Sequence, residues 1–146
     1  MLRDDIDQRI VALLVENGRA TFAEIGDAVG LSAPAIKRRV DRLVAEGVIT
    51  GFTALVDPGA VGTTMEAFIE LHCRGRTSPA ALRAIVAPHP AVRAAYSVTG
   101  EADALLHLHT AGVDELEGTL ELIRADERVV RTSTVIVLSR LLDRRL

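Results

Sequence analysis

Four basic side chains lie close together in the N-terminal third of the chain, within the six residues from Lys37 to Arg42. Guanidinium and ammonium groups bind phosphates, and an arginine can also donate two hydrogen bonds to a guanine edge. If this stretch is helical with Ile36 facing inward, Arg38 points almost directly outward and Arg39 lies nearer the edge. From charge alone, a nucleic-acid-binding surface and an ordinary solvated helix face are about equally good interpretations.

Small residues precede these cations and would let the start of a helix approach a DNA duplex closely. Ser32 is a suitable N-cap whose hydroxyl could also contact a phosphate, and Pro34 is tolerated in a first helical turn. The candidate DNA-binding residues are therefore Ser32, Ala33, Pro34, Ala35, Lys37, Arg38, Arg39 and Arg42.

A glycine and an aspartate between two β-forming segments define a second candidate site, at residues 97–103. A hairpin at Gly100 would expose backbone N–H and C=O groups, and Asp103 could pair with an α-ammonium group. The Thr99 hydroxyl could serve either end of an amino acid. The residues alone favour a simpler interpretation, in which Gly100 makes the bend and Asp103 caps the turn.

Histidines offer a third kind of chemistry. His107 and His109 share one face of a predicted strand, and His72 could lie on the adjacent strand, so a three-histidine metal site is conceivable. Histidines at a partly wet subunit interface are commoner, so we expect no metal and no other cofactor. The common nucleophile, zinc-protease and nucleotide-binding signatures are absent from the sequence, which argues against an enzyme.

Length and composition limit the class of protein. The 146 residues suit one ordinary domain or two small ones, and the net charge of −3 argues against indiscriminate coating of nucleic acid. The single cysteine, Cys73, has no partner for an internal disulfide. Since no stretch is long and apolar enough to span a membrane and the first residues do not resemble a secretory signal, we expect a cytoplasmic protein without a membrane partner.

The N-terminal part contains three short helical patterns. Asp4 is a suitable N-cap for the first, and Thr21 with Glu24 forms a capping box for the second. Gly30 provides a tight turn between the second and third. Two helices joined in this way after a supporting helix predict a helix-turn-helix, whose second helix faces the major groove. The three patterns cover residues 4–18, 21–30 and 32–47.

The C-terminal part alternates strand and helix patterns in the order βαββαβ. This order suggests a ferredoxin-like α+β domain, in which two helices cover one face of an antiparallel sheet. The other face mixes Phe68 and Leu105 with polar residues, which predicts a dimer through that face. The predicted elements are Glu66–Arg74, Ser78–Ala87, Val92–Thr99, Asp103–Thr110, Val113–Ala125 and Val129–Leu138.

Taken in order, short segments along nearly the whole chain resemble the Lrp/AsnC (feast/famine) transcriptional regulators. The segments are Ile6-Asp7, Asn17-Gly18-Arg19, Gly30-Leu31-Ser32, Arg39-Val40, Arg42-Leu43, Gly47-Val48-Ile49-Thr50-Gly51-Phe52, Asp57-Pro58, Gly100-Glu101-Ala102-Asp103 and Val130-Arg131-Thr132.

The resemblance implies a winged helix-turn-helix in residues 1–50, a strand and linker in residues 51–64, and a βαββαβ (RAM-type) domain in residues 65–146. It implies a regulator that binds double-stranded DNA, forms a homodimer and often an octamer, and responds to an amino-acid effector bound between dimers. The implied effector-binding residues are Val98, Thr99, Gly100, Glu101, Ala102, Asp103, Thr132 and Thr134.

Two alternatives remain open. The family usually has an aromatic residue where this chain has Ala102, which suits an architectural DNA-binding protein that needs no ligand. Siroheme decarboxylases resemble the same two-domain architecture, which keeps one enzymatic interpretation.

Overall fold

Three helices form the first of two units in the protein. The computed structural model describes residues 4–142, which divide into residues 4–55 and residues 56–142. Residues 1–3 and 143–146, which belong to the predicted domains 1–50 and 65–146, lie outside the described residues. No helix in the described part of the chain has the length and apolar character needed to cross a membrane.

The helices of the first unit begin and end within two residues of the limits that the sequence predicts. Asp4 caps α1 by accepting a hydrogen bond from the Asp7 N–H, and Thr21 and Glu24 form the expected capping box on α2. Gly30 ends α2 with a φ of 76°, a left-handed conformation that favours glycine. The helices are α1 (Asp5–Glu16), α2 (Phe22–Val29) and α3 (Ala33–Ala45).

All three helices contribute to one small apolar core. Each supplies branched aliphatic side chains from its inward stripe, and these side chains are at most 4% exposed. Because so few residues form this core, the relative positions of the helices depend on each of them. The core residues are Ile10, Ile25, Ile36, Val40 and Leu43.

The strand predicted within residues 51–64 is wrong for this structure. Residues 50–57 have no regular structure, and Pro58–Val61 forms a single 3₁₀ turn. A strand needs a neighbour with which to form hydrogen bonds, and no segment of the described chain pairs with residues 50–57. For the same reason the described residues contain the helix-turn-helix without a stranded wing.

The second unit has the predicted βαββαβ order, and the ends of its elements differ from prediction by at most two residues. Its four strands form one antiparallel sheet in the order β2-β3-β1-β4. This is a ferredoxin-like topology, as the sequence predicts. The elements are β1 (Met65–Cys73), α4 (Pro79–Val86), β2 (Val92–Ser97), β3 (Ala104–Thr110), α5 (Val113–Arg124) and β4 (Val129–Ile136).

The two faces of this sheet differ. On β1 and β3, alternate side chains such as Ile69 and Leu106 are fully buried beneath α4 and α5. The opposite side, here called the open face, carries Phe68 and His107 in a stacked pair together with the exposed Tyr96 and Val135. The alternation inferred from the sequence is confirmed, and the open face mixes apolar and polar groups.

Candidate nucleic-acid interface and ligand site

The outer face of α3 exposes Arg38. Arg38 is exposed and forms no hydrogen bond or ion pair with any residue that the structure describes. Lys37, which is also exposed, pairs with Asp41 across one helical turn, with an Nζ–Oδ2 distance of 2.6 Å. Arg38 can therefore donate all of its N–H groups to an outside acceptor.

Arg39 and Arg42 have a different environment from Arg38. Arg39 Nη1 lies 2.8 Å from Asp7 Oδ1, and Arg42 Nη2 lies 2.5 Å from Asp7 Oδ2. The Asp7 side chain is completely buried, so both of its oxygens need donors. Arg39 also bonds Asp4, and this hydrogen bond is the main reason that the pKa of Asp4 is lowered.

This cluster of Asp7, Arg39 and Arg42 links α1 to α3. Two of the four cations predicted to bind DNA, Arg39 and Arg42, are therefore already paired with a buried carboxylate, although each guanidinium has further N–H donors. The sequence analysis missed the role of Asp7. The available signal was its spacing, because Asp7 lies three residues before the buried Ile10 and so shares the inward face of α1.

The start of α3 matches the sequence prediction only in part. Ser32 occupies the N-cap position and Pro34 lies in the first turn. The Ser32 hydroxyl, however, makes no capping hydrogen bond, which corrects the expectation that it caps the helix. Ser32 is exposed, so the hydroxyl remains available to a ligand, while Ala33 and Ala35 are half-buried.

A close backbone contact fixes the turn between α2 and α3. Gly26 accepts a hydrogen bond from the Leu31 N–H at 2.9 Å. A Cβ atom at Gly26 would lie only 2.3 Å from the Leu31 carbonyl oxygen. Only glycine fits here without movement of the backbone, and the sequence analysis did not identify this position.

The second candidate site is the hairpin between β2 and β3. Gly100 has a φ of 118°, which favours glycine. Asp103 Oδ2 accepts a hydrogen bond from the Cys73 N–H at 2.7 Å, so at least one carboxylate oxygen serves the fold. This contact matches the simpler interpretation of Asp103, as a residue that secures the turn. Val98, Thr99 and Glu101 are exposed, and Ala102 is half-buried.

Two further side chains support this hairpin from the open face. His72 Nδ1 lies 3.2 Å from the Glu101 carbonyl oxygen, and Arg131 Nη2 lies 3.1 Å from His72 Nε2. The contacts are satisfied together when Nδ1 carries the proton and Nε2 accepts from Arg131. His72 does not join the other two histidines, because it lies roughly 13 Å along β1 from Phe68, the residue that pairs with His107.

An open pocket of about 400 Å³ lies beside the hairpin and is lined partly by Glu70 and Glu101. Thr132 and Thr134 do not face it. They pair with Leu71 and Ile69, which are fully buried on the helix-covered side of the sheet. Arg124 of α5 donates a hydrogen bond to the Thr132 hydroxyl at 2.7 Å, so Thr132 lies on the side of the sheet that the helices cover. The structure therefore does not bring the two threonines to the hairpin.

A helix-turn-helix with an exposed arginine, followed along the chain by an α+β unit with a pocket at a hairpin, is typical of a DNA-binding regulator with a ligand-binding domain. A family model described as the AsnC-type helix-turn-helix domain matches residues 4–44, and one described as the Lrp/AsnC ligand binding domain matches residues 66–146. The chain belongs to the Lrp/AsnC family of transcriptional regulators.

Relatives with known names support this assignment. The chain is 50% identical to the HTH-type transcriptional regulator Rv2324 of Mycobacterium tuberculosis over 97% of this chain and 95% of the relative. It resembles a structure of the feast or famine regulatory protein Rv3291c from M. tuberculosis complexed with L-methionine, with a TM-score of 0.89, 35% identity and coverage of 98% and 97%. The transcriptional regulator NMB0573 from Neisseria meningitidis, in complex with L-Met, gives a TM-score of 0.89, 27% identity and coverage of 97% and 93%.

These findings identify a transcriptional regulator and not an enzyme. The siroheme-decarboxylase alternative is accordingly not supported.

Proposed function

We propose that the protein binds a specific DNA operator through α3 and that an amino-acid effector alters this binding. Arg38, which is exposed on the outer face of α3 and pairs with no described residue, carries the DNA-binding part of the proposal. An arginine at this place can reach a guanine edge in the major groove. The sequence specificity of binding then depends on Arg38 more than on its basic neighbours.

The other candidate residues of α3 take supporting roles in this proposal. Lys37 leaves its ion pair with Asp41 and contacts a DNA phosphate instead. The Ser32 hydroxyl donates a hydrogen bond to a second phosphate. Arg39 and Arg42 keep α3 at a fixed angle to α1 through Asp7 and offer their remaining N–H groups to the DNA backbone. The small residues Ala33, Pro34 and Ala35 allow the helix to approach the duplex.

For the effector, we propose the hairpin of residues 98–103 as the binding site. Carboxylates of Glu70 and Glu101 line the pocket and suit an α-ammonium group, while Arg131 on the same face suits an α-carboxylate. Binding of an amino acid requires partners for both of these charged groups. The two regulators of similar structure bound to L-methionine support this class of ligand. The Asp103 carboxylate contributes mainly by securing the hairpin, and Val98, Thr99, Gly100 and Ala102 form its accessible surface.

A homodimer through the open face, and an octamer as the family resemblance implies, would place paired α3 helices on one operator in the cytoplasm. An effector shifts such an assembly only if it binds two arrangements with different affinity. A tenfold preference corresponds to about 1.4 kcal/mol per site, and several sites in one oligomer add their contributions.

A thermal-shift screen across the amino acids, followed by gel shifts with the intergenic DNA upstream of the gene, tests both parts. We expect at least one amino acid to raise the melting temperature and to change the gel shift. The Glu70→Gln variant should lose the response, whereas Glu117→Gln, an exposed carboxylate on α5, should retain it.

Intact DNA binding with no response to any amino acid would overturn the effector proposal. That result would favour the architectural, ligand-independent DNA-binding protein, which the alanine at position 102 also suits. Absence of DNA binding at low ionic strength would overturn the proposal as a whole.

A further inference from the structure

Three metal-ligating side chains meet on the open face of the sheet, outside both sites described above. Glu66 on β1 pairs in register with His109 on β3, and His107 lies two residues earlier on the same face. One ligand atom from each of these residues lies within 4.8 Å of the other two. Glu66 Oε1 is 2.6 Å from His107 Nε2 and 3.8 Å from His109 Nε2. The sheet register thus brings a carboxylate oxygen and two imidazole nitrogens to one point.

The rings of this cluster are held by their neighbours. Phe68 stacks on His107 with ring centroids 4.7 Å apart, and His109 meets the edge of His107 at 4.8 Å. The side chains of Glu66, His107 and His109 are 22%, 23% and 19% exposed. They are therefore restricted in rotation and partly shielded from water, which lowers the cost of ordering them around an ion.

His109 has an unsatisfied nitrogen. Its Nε2 atom is buried and has no hydrogen-bond partner among the described residues. Such an atom is costly unless something binds it. In the tautomer that has its proton on Nδ1, this Nε2 atom has a lone pair for a metal ion.

Glu66 is held with one oxygen directed toward the histidines. Its Oε2 atom accepts from Arg140 at 3.0 Å, while Oε1 faces His107 and His109. Burial alone would raise the pKa of Glu66, but hydrogen bonds from Arg140 and His107 outweigh burial and lower it. An outer partner thus orients the carboxylate, an arrangement common around metal ligands. The charge of Arg140 also repels a cation and moderates its affinity.

We propose that Glu66, His107 and His109 bind a divalent first-row transition-metal ion, with Zn²⁺ as the reference ion. Two imidazoles and one carboxylate suit Zn²⁺, Co²⁺, Ni²⁺ or Fe²⁺ better than Mg²⁺ or Ca²⁺. Tetrahedral Zn²⁺ places its ligand atoms roughly 3.3 Å apart, so small side-chain movements suffice. Three protein ligands leave one position for water or for another group. Metal binding would stabilise the second unit, and this stabilisation would increase with the concentration of the metal ion.

The proposal is tested on the full-length chain without a histidine tag. Calorimetric titration with Zn²⁺ should give one ion per chain, Co²⁺ should acquire the visible absorption of a low-symmetry site, and Mg²⁺ should not bind. His109→Gln should weaken Zn²⁺ binding at least tenfold, and the double variant His107→Gln/His109→Gln should abolish it. His89→Gln, which changes a histidine outside the cluster, should bind like the native protein. Melting curves in metal-free buffer check that each variant folds.

A second measurement needs no variant. Zn²⁺ should protect His107 and His109, but not His89, from acylation by diethyl pyrocarbonate, as read by mass spectrometry. The proposal fails if the native chain shows no saturable Zn²⁺ binding, if the double variant binds equally well, or if all histidines are protected alike. Because these assays contain no DNA and no amino acid, their outcome does not depend on operator binding or on effector binding.

Discussion

The basic residues of α3 follow one another closely in sequence, yet their side chains differ in what they contact. Arg39 and Arg42 bind Asp7, Lys37 binds Asp41, and Arg38 has no partner among the described residues. At Lys37, Arg39 and Arg42, DNA must compete with an existing ion pair. At Arg38 DNA gains a hydrogen-bonding group that pairs with no described residue, so the free energy of binding is least offset there.

Replacement of Arg38 by alanine should therefore weaken operator binding by about 1–3 kcal/mol, the value of a bidentate contact to guanine, and relax base choice. Arg19→Ala is the matched control, because it removes one exposed positive charge of the same unit outside α3. Fluorescence anisotropy at one fixed salt concentration measures both variants. An equal loss in the two would indicate a general charge effect and would contradict direct readout by Arg38.

The buried carboxylate of Asp7 should matter for stability. Asp7→Asn removes the buried anion that Arg39 and Arg42 share, although Arg39 keeps its ion pair with Asp4, and it should lower the free energy of unfolding by roughly 2–3 kcal/mol. The loss is smaller than for a fully buried pair, because Arg39 and Arg42 are 24% and 33% exposed and partly solvated. Urea denaturation checks this value. Asp5→Asn, an exposed acid in the same turn of α1, should have little effect, and equal losses would contradict the role of Asp7.

At the scale of elements, the angle between α2 and α3 depends on one glycine. Gly26→Ala places a methyl group 2.3 Å from the Leu31 carbonyl oxygen, which is backbone and moves only with the turn. We expect a loss of stability of about 1–3 kcal/mol and weaker DNA binding. Gly118→Ala is the matched helix-interior control, because its Cβ meets nothing within 4 Å. That change should stabilise the second unit by about 0.5–1 kcal/mol.

Thermal melting of both glycine variants distinguishes the two effects. If Gly26→Ala melts like the native protein, the close contact with Leu31 does not constrain the turn.

Local patterns predicted most of the elements, and non-local pairing explains the failures. The cap at Asp4, the capping box at Thr21 and the alternation along β1 each depend on residues close in sequence, and each is confirmed. A strand in residues 51–64 would need a partner segment, which no local pattern specifies.

The site residues follow the same rule. The face on which Thr132 lies depends on the register between β4 and β1, which the sequence did not reveal. Likewise, the positive charge of α3 was evident from the sequence. The ion pairs of Arg39 and Arg42 with Asp7, however, depend on how α1 packs against α3.

At the scale of the whole molecule, the open face of the sheet is the surface best suited to pair two chains. It combines the exposed apolar side chains of Tyr96 and Val135, which are 55% and 60% exposed, with polar groups. If this face forms the dimer, a charge in its apolar part must lose its hydration when the chains meet. The same charge in a monomer would stay in water and cost nothing.

Val135→Glu should therefore shift the protein from dimer toward monomer in sedimentation equilibrium and leave its circular dichroism unchanged. Operator affinity should fall with it, since two half-sites need two α3 helices. Leu122→Glu is the matched control, because Leu122 is 64% exposed on α5, away from the open face. If Leu122→Glu dissociates the protein equally, or if Val135→Glu stays dimeric, the chains pair through another surface.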